Sequence, residues 1–172
     1  MRTILSAVLL LVFALAGCSP SPQQSPRNVG AATEPNTPKP DTPLPDRAFK
    51  ADLKLVDPLT TLKPGQKQTI KMKVKNASDA LWIVYGTGEG NKYRVAVGDS
   101  WLDNKGQLIT NMDGRYGLPT NLSPGQEVEV PLLITAPDKP GEYILQLDAV
   151  QEGVSWFQQK GSPVLKINVK VQ

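Results

Sequence analysis

From Arg47 onward, apolar residues fall at every second position in short runs divided by proline and glycine. Successive side chains of a strand point to opposite faces, so a period of two predicts half-buried strands rather than amphipathic helices. In residues 66–75, Ile70, Met72 and Val74 share one face, while Lys67, Lys71, Lys73 and Lys75 share the other. The same alternation aligns Leu53 with Leu55 in residues 50–57 and Tyr93, Val95 and Val97 in residues 92–97. It aligns Val128, Val130, Leu132 and Ile134 in residues 126–135, then Tyr143, Leu145, Leu147 and Ala149 in residues 142–150. The last run, residues 164–171, aligns Leu165, Ile167, Val169 and Val171. An internal repeat punctuates the pattern: Leu62-Lys63-Pro64-Gly65-Gln66 matches Leu122-Ser123-Pro124-Gly125-Gln126, and each opens a strand. Proline fixes φ and glycine supplies a positive φ, which suits the centre of a type II turn. A third pair, Pro140-Gly141, precedes the next strand. About seven antiparallel strands with such turns predict an all-β sandwich over residues 47–172.

The chain before this domain has a different character. Eight of the 16 prolines fall between Pro20 and Pro45, and apolar residues are nearly missing from residues 19–46. Such a composition buries too little surface to fold, and its proline favours extended polyproline II. At about 3.1 Å per residue, the segment reaches roughly 85 Å if fully extended. Residues 18–46 are therefore expected to be a stalk.

Residues 1–17 read as an export leader. Arg2 supplies the positive start, an apolar run follows to Phe13, and small residues lead to Cys18. That run is shorter than the ~20 residues a spanning helix needs. Leu15-Ala16-Gly17-Cys18 resembles the bacterial lipobox. The resemblance implies a diacylglycerol thioether on Cys18, cleavage just before it, and membrane residence through the acyl chains. One acyl chain binds only marginally, and two or three make attachment effectively permanent. Ser19 differs from the Asp that resembles an inner-membrane retention signal. Outer-membrane delivery is thus expected in a Gram-negative cell, and an extracytoplasmic location in either envelope type.

Several chemistries are excluded by composition. The chain has no histidine and one cysteine, so intrachain disulfides, thiol-rich zinc sites and Ser-His-Asp or Cys-His catalysis are absent. The formal charge is +3, near +2 once Arg2 is removed, too weak for the dense basic patches that bind nucleic acid. No cofactor is expected.

Gly141-Glu142-Tyr143-Ile144-Leu145 is similar to the Gly-x-Tyr-x-Cys run of immunoglobulin domains, with Leu145 at the cysteine position. The resemblance implies that Tyr143 forms a tyrosine corner, with Met72 or Val74 facing Leu145. A wider set comprises Asn76-Ala77-Ser78 with Trp82, Gly98-Asp99-Ser100-Trp101-Leu102-Asp103, Arg115-Tyr116-Gly117-Leu118-Pro119, Ala136-Pro137 and Gln151-Glu152-Gly153-Val154-Ser155-Trp156-Phe157. This set resembles the Ig-like domains appended to bacterial glycosyltransferases and other proteins of surface-polysaccharide assembly. It implies an immunoglobulin-like sandwich and leaves function open, because fold does not fix function.

Asp99, Asp103, Asp113, Asp148 and Glu152 are the carboxylates that acid–base chemistry would use. Asp103-Asn104-Lys105-Gly106 reads as a turn. Asp148 lies mid-strand, and Arg115 suits it or Glu152 as an ion-pair partner. The spacing of Asp99, Asp103 and Asp113 fits no calcium loop, so neither a catalytic residue nor a metal ligand is assigned. Aromatic side chains either fill sandwich cores or stack on partners. Trp156 and Phe157 are adjacent and should point to opposite sides, one of them into the core. The lysine stripe is expected to pair with Glu127 and Glu129 on a neighbouring strand.

The expected function is that of a lipid-anchored, non-catalytic binding or structural module of the cell envelope. The alternative is a carbohydrate-binding accessory factor in surface-polysaccharide export or modification. Trp101, Arg115, Tyr116, Glu152, Trp156 and Phe157 are the candidate contacts with an envelope protein or polysaccharide, grouped at the end formed by the 115–119 loop and the 152–157 segment.

Overall fold

The computed structural model describes residues 42–86 and 91–172. The expected leader, Cys18 and the stalk as far as residue 41 lie outside the described residues.

The domain is an antiparallel β-sandwich with seven long strands and two short ones among the described residues. In chain order these are β1 (Ala51–Leu55), β2 (Thr61–Leu62), β3 (Lys67–Asn76), β4 (Val95–Asp103), β5 (Leu108–Gly117), β6 (Glu127–Thr135), β7 (Gly141–Gln151), β8 (Ser155–Trp156) and β9 (Leu165–Val171). One sheet has the order β1-β3-β6; the other runs β2-β9-β7-β4-β5, with β8 paired to β7. The first and second long strands share a sheet with the fifth, and the third shares the other with the sixth and last. That partition is the immunoglobulin one for these six, while the fourth long strand, β5, extends the second sheet beside β4 instead of joining the first. The first edge is split: β1 pairs antiparallel with β3, whereas β2 crosses over to pair parallel with β9.

The alternation sets the core. Ile70, Met72 and Val74 of β3 meet Leu132, Val130 and Val128 of β6 in register. Met72, Val74, Trp101, Leu145 and Leu147 are fully buried in one cluster with them. Both repeated turns form as expected. Gln66 N–H donates to Lys63 C=O and Gln126 N–H to Ser123 C=O, each at 3.0 Å. Gly65 and Gly125 have φ of 65° and 80°, the left-handed conformation a type II turn requires at this position. Each following glutamine adds a side-chain clamp, Gln66 Oε1 accepting from Lys63 N and Gln126 Oε1 from Ser123 N. The Pro140-Gly141 pair is different. Gly141 begins β7 without a positive φ, and its missing side chain makes room for the Tyr143 ring.

Tyr143 forms the tyrosine corner, its hydroxyl donating to Lys139 C=O at 2.8 Å. Asn76 ties the opposite end together. Its buried amide donates to Ala80 and Leu122 carbonyls and accepts from Ser78. Lys71 and Lys73 meet Glu129 and Glu127 at 3.9 and 3.5 Å across the outer face of β3 and β6.

Three expectations need correction. The packed domain begins before residue 47: Leu44 is buried and its N–H donates to Gln151 Oε1 at 2.9 Å. β4 continues to Asp103 instead of ending at Val97. Arg115 lies in a strand, not a loop, because β5 extends to Gly117 and pairs with β4.

Candidate binding face

The site is built on the outer face of the larger sheet. On β4 and β7 the core-facing residues are Val95, Val97, Trp101, Leu145, Leu147 and Ala149, so Gly98, Ser100, Gln146 and Asp148 point outward. In most sandwiches such residues meet water. Here the chain turns back after β7 through β8, which pairs with β7 in the plane of the sheet, and a 3-10 turn at Phe157–Lys160. The Trp156 ring thus lies over Gly98, and Gln158 bonds Gln146 and Asp148 on the outer face. Gln146 and Asp148 are consequently 8% and 3% exposed.

Asp148 is the anchor of this segment. Its Oδ1 accepts from Ala149 N at 2.8 Å and its Oδ2 from Gln158 N at 3.1 Å. Burial raises its pKa from 3.8 to about 6, and the two backbone donors oppose that rise. Gln146 Nε2 donates to Gln158 Oε1 at 3.2 Å beside it.

Arg115, Glu152 and Trp156 converge at the rim. Arg115 Nε lies 3.3 Å from Glu152 Oε1, and its guanidinium sits 4.4 Å from the centre of the Trp156 ring. Gly98 makes this possible. A Cβ there would come within 2.8 Å of Arg115 Nη1 and 3.0 Å of Trp156 Cη2. A groove of about 420 Å³ lies alongside, lined by Gly98, Ser100, Leu102, Gln146, Asp148, Trp156, Gln158 and Lys166 among others.

The six candidate contacts thus divide. Arg115, Glu152 and Trp156 are brought together, whereas Tyr116, 36% exposed on the same edge strand, pairs with Val97 and so stands on the opposite face from Arg115. Trp101 and Phe157 are not surface residues, since both are 0% exposed. Trp101 points inward from β4 with its ring edge against Tyr143, centroids 6.4 Å apart. Phe157 packs edge-on to Phe49 at 4.9 Å and Trp82 at 5.1 Å. Of the adjacent pair, Phe157 is therefore the core residue and Trp156 the half-buried one. The expected partner of Arg115 resolves to Glu152.

The other carboxylates have structural tasks. Asp103 Oδ1 accepts from Lys105 N and Gln107 N, closing the β4–β5 turn. Asp99 Oδ1 accepts from Gly114 N at 2.8 Å, holding β5 where a Cβ on Gly114 would strike Leu133 C=O. Among the described residues no group of three His, Cys, Asp or Glu side chains is placed to hold a metal, and no helix is long and apolar enough to cross a membrane.

Ser100, Gln146, Gln158 and Lys166 escaped the sequence reading as site residues. For Gln146 a signal exists: Ile144 and Val150 are apolar on the outward face of β7, which marks that face as covered. Gln158 lies in a 3-10 turn where no periodicity points to it.

No family model and no curated protein matches the chain. Solved structures similar to it include the CARDB domain of PF1109 from Pyrococcus furiosus, at 15% identity and a TM-score of 0.42, covering 71% of this chain and 95% of that one. A β-glucosidase from Listeria innocua is similar at 13% identity and a TM-score of 0.40, over 70% of this chain and 16% of that one. A family 123 glycoside hydrolase from Clostridium perfringens is similar at 13% identity and a TM-score of 0.39, over 66% and 22%. The immunoglobulin-like assignment rests on strand order and the tyrosine corner, not on these distant likenesses.

Proposed function

We propose that this chain is a non-catalytic binding module of the bacterial cell envelope, held at a membrane by lipid on Cys18. The surface it presents is the outer face of the larger sheet. The observation that carries the reading is the Arg115–Trp156 stack over Gly98, tied to Glu152 at the rim of the groove. None of the three side chains belongs to the hydrophobic core cluster, and Gly98 on β4 leaves the space in which they meet. Rigid aromatic and arginine side chains are the residue types that anchor interfaces. Two acidic residues line the groove, and both carboxylates accept from backbone N–H groups, Asp99 from Gly114 and Asp148 from Ala149 and Gln158, while Glu152 is engaged by Arg115.

Site-specific photocrosslinking in intact cells tests the surface. A crosslinker at Leu108, an exposed residue of the groove lining, should yield a discrete adduct with an envelope component; one at Lys71 on the opposite sheet should not. Adducts only from Lys71 would place the working surface elsewhere. Membrane attachment is checked separately: Cys18→Ser should move the protein from the membrane fraction to the soluble fraction. A variant that stays membrane-bound would remove the lipid from the account.

A further inference from the structure

We propose that the groove beside Trp156 is a binding site for an uncharged, polyhydroxylated ligand, a short glycan segment, gripped by Asp148, Gln146 and Gln158. The inference rests on the outer sheet face being the binding surface, and it names the ligand class for that surface.

The groove's volume, about 420 Å³, falls within the ~300–1,000 Å³ range of small-molecule clefts. Its polar groups are mixed in kind. Glutamine amides both donate and accept, Ser100 does both through one hydroxyl, and Asp148 accepts when ionised. A ligand that matches such a lining must itself donate and accept at closely spaced positions. Sugar hydroxyls do so; phosphates only accept and ammonium groups only donate.

Charge narrows the class further. Asp148 at the floor opposes anionic ligands, and Lys166 on the lining with Arg115 at the rim opposes cationic ones. A neutral ligand meets neither penalty. Asp148 is 3% exposed, and its two protein donors are both backbone N–H groups. A carboxylate has about four acceptor sites, so ligand hydroxyls can occupy the rest. The groove also has apolar wall from Leu102, Leu108 and Trp156, with Leu108 55% exposed. Sugar rings carry both hydroxyl edges and apolar C–H faces, and the lining offers a counterpart to each.

The test is an NMR titration of the purified full-length protein in detergent with chitotetraose, maltotetraose and mannotetraose, and with oligogalacturonate as the anionic counterpart. At least one neutral oligosaccharide should give saturable shifts of the Gln146 and Gln158 side-chain amides and the Trp156 indole N–H. Oligogalacturonate should bind at least tenfold more weakly. Asp148→Asn should weaken the neutral ligand by about 10-fold or more, the loss of a charge-assisted hydrogen bond. Gln146→Leu, which leaves the Asp148 anchor intact, should weaken it several-fold and covers the case that Asp148→Asn does not fold. No saturable shift at these groups with any neutral oligosaccharide, equal affinity in wild type and Gln146→Leu, or preference for oligogalacturonate would overturn the proposal. If crosslinking from Leu108 still succeeds in that case, the surface stands and only the ligand class falls.

Discussion

The hydroxyl of Tyr143 reaches back four residues to donate to the carbonyl of Lys139 at 2.8 Å, fixing the corner at which β7 begins. The ring also packs edge-on to Trp101, so the bond ties the corner to the core. Tyr143→Phe keeps the ring and removes the bond. It should cost about 1 kcal/mol, read as a lower urea midpoint with an unchanged slope. An unaltered midpoint would show that the bond contributes nothing net.

Adjacent residues at the end of β8 should respond very differently to truncation. Phe157 is fully buried between Phe49 and Trp82, so Phe157→Ala should cost about 3–5 kcal/mol. Trp156 is half-buried over the sheet, and Trp156→Ala should cost clearly less in the same denaturation experiment. Equal losses would mean that Trp156 belongs to the core.

Gly98→Ala places a methyl where Arg115 Nη1 and Trp156 Cη2 now lie. Both side chains must shift, and the expected readout is a change in tryptophan emission with a loss of about 1–3 kcal/mol from overpacking. The buried tryptophans Trp82 and Trp101 serve as internal references. Replacing Trp156 by Phe should abolish most of the emission change; an undiminished change would locate the perturbation in the core.

Stability should depend on pH through Asp148. Burial raises its folded pKa to about 6, above the ordinary 3.8, so the folded state holds this proton more tightly than the unfolded chain does. That contribution is complete below pH 3.8 and is lost as the pH rises through about 6. The stability of wild type relative to Asp148→Asn should therefore fall between those two values and level off above. A difference that is flat across this window, or that grows with pH, would contradict the assignment.

Much of the smaller sheet could be read from periodicity because one face of β3 and β6 is wet. Ile70, Met72 and Val74 alternate with lysines, and β3 lies where the pattern puts it. β5 was illegible for the converse reason. Leu108-Ile109-Thr110-Asn111-Met112-Asp113-Gly114-Arg115-Tyr116-Gly117 contains two glycines and alternates only in part, Met112 and Tyr116 against Asn111, Asp113 and Arg115, and its pairing with β4 is interrupted by register shifts. A strand held by a neighbour's backbone leaves little trace in its own side chains.

The site was legible only in part. Arg115, Glu152 and Trp156 stand in the sequence as residue types that bind things, but Trp101 and Phe157 have the same chemistry and are core. Composition alone cannot separate the two cases, because an indole or phenyl ring suits either a core or an interface.

The tyrosine corner was implied by the likeness to immunoglobulin domains; by itself the sequence determined the strand periodicity, both type II turns and the exclusion of histidine and disulfide chemistry. These follow from a residue's own geometry and its neighbours along the chain. Only the tertiary structure decided that the segment after β7 pairs back along β7, bringing Gln158 onto Asp148 and seating Trp156 on Gly98. Those outcomes depend on distant segments meeting in three dimensions, and no local pattern encodes that meeting.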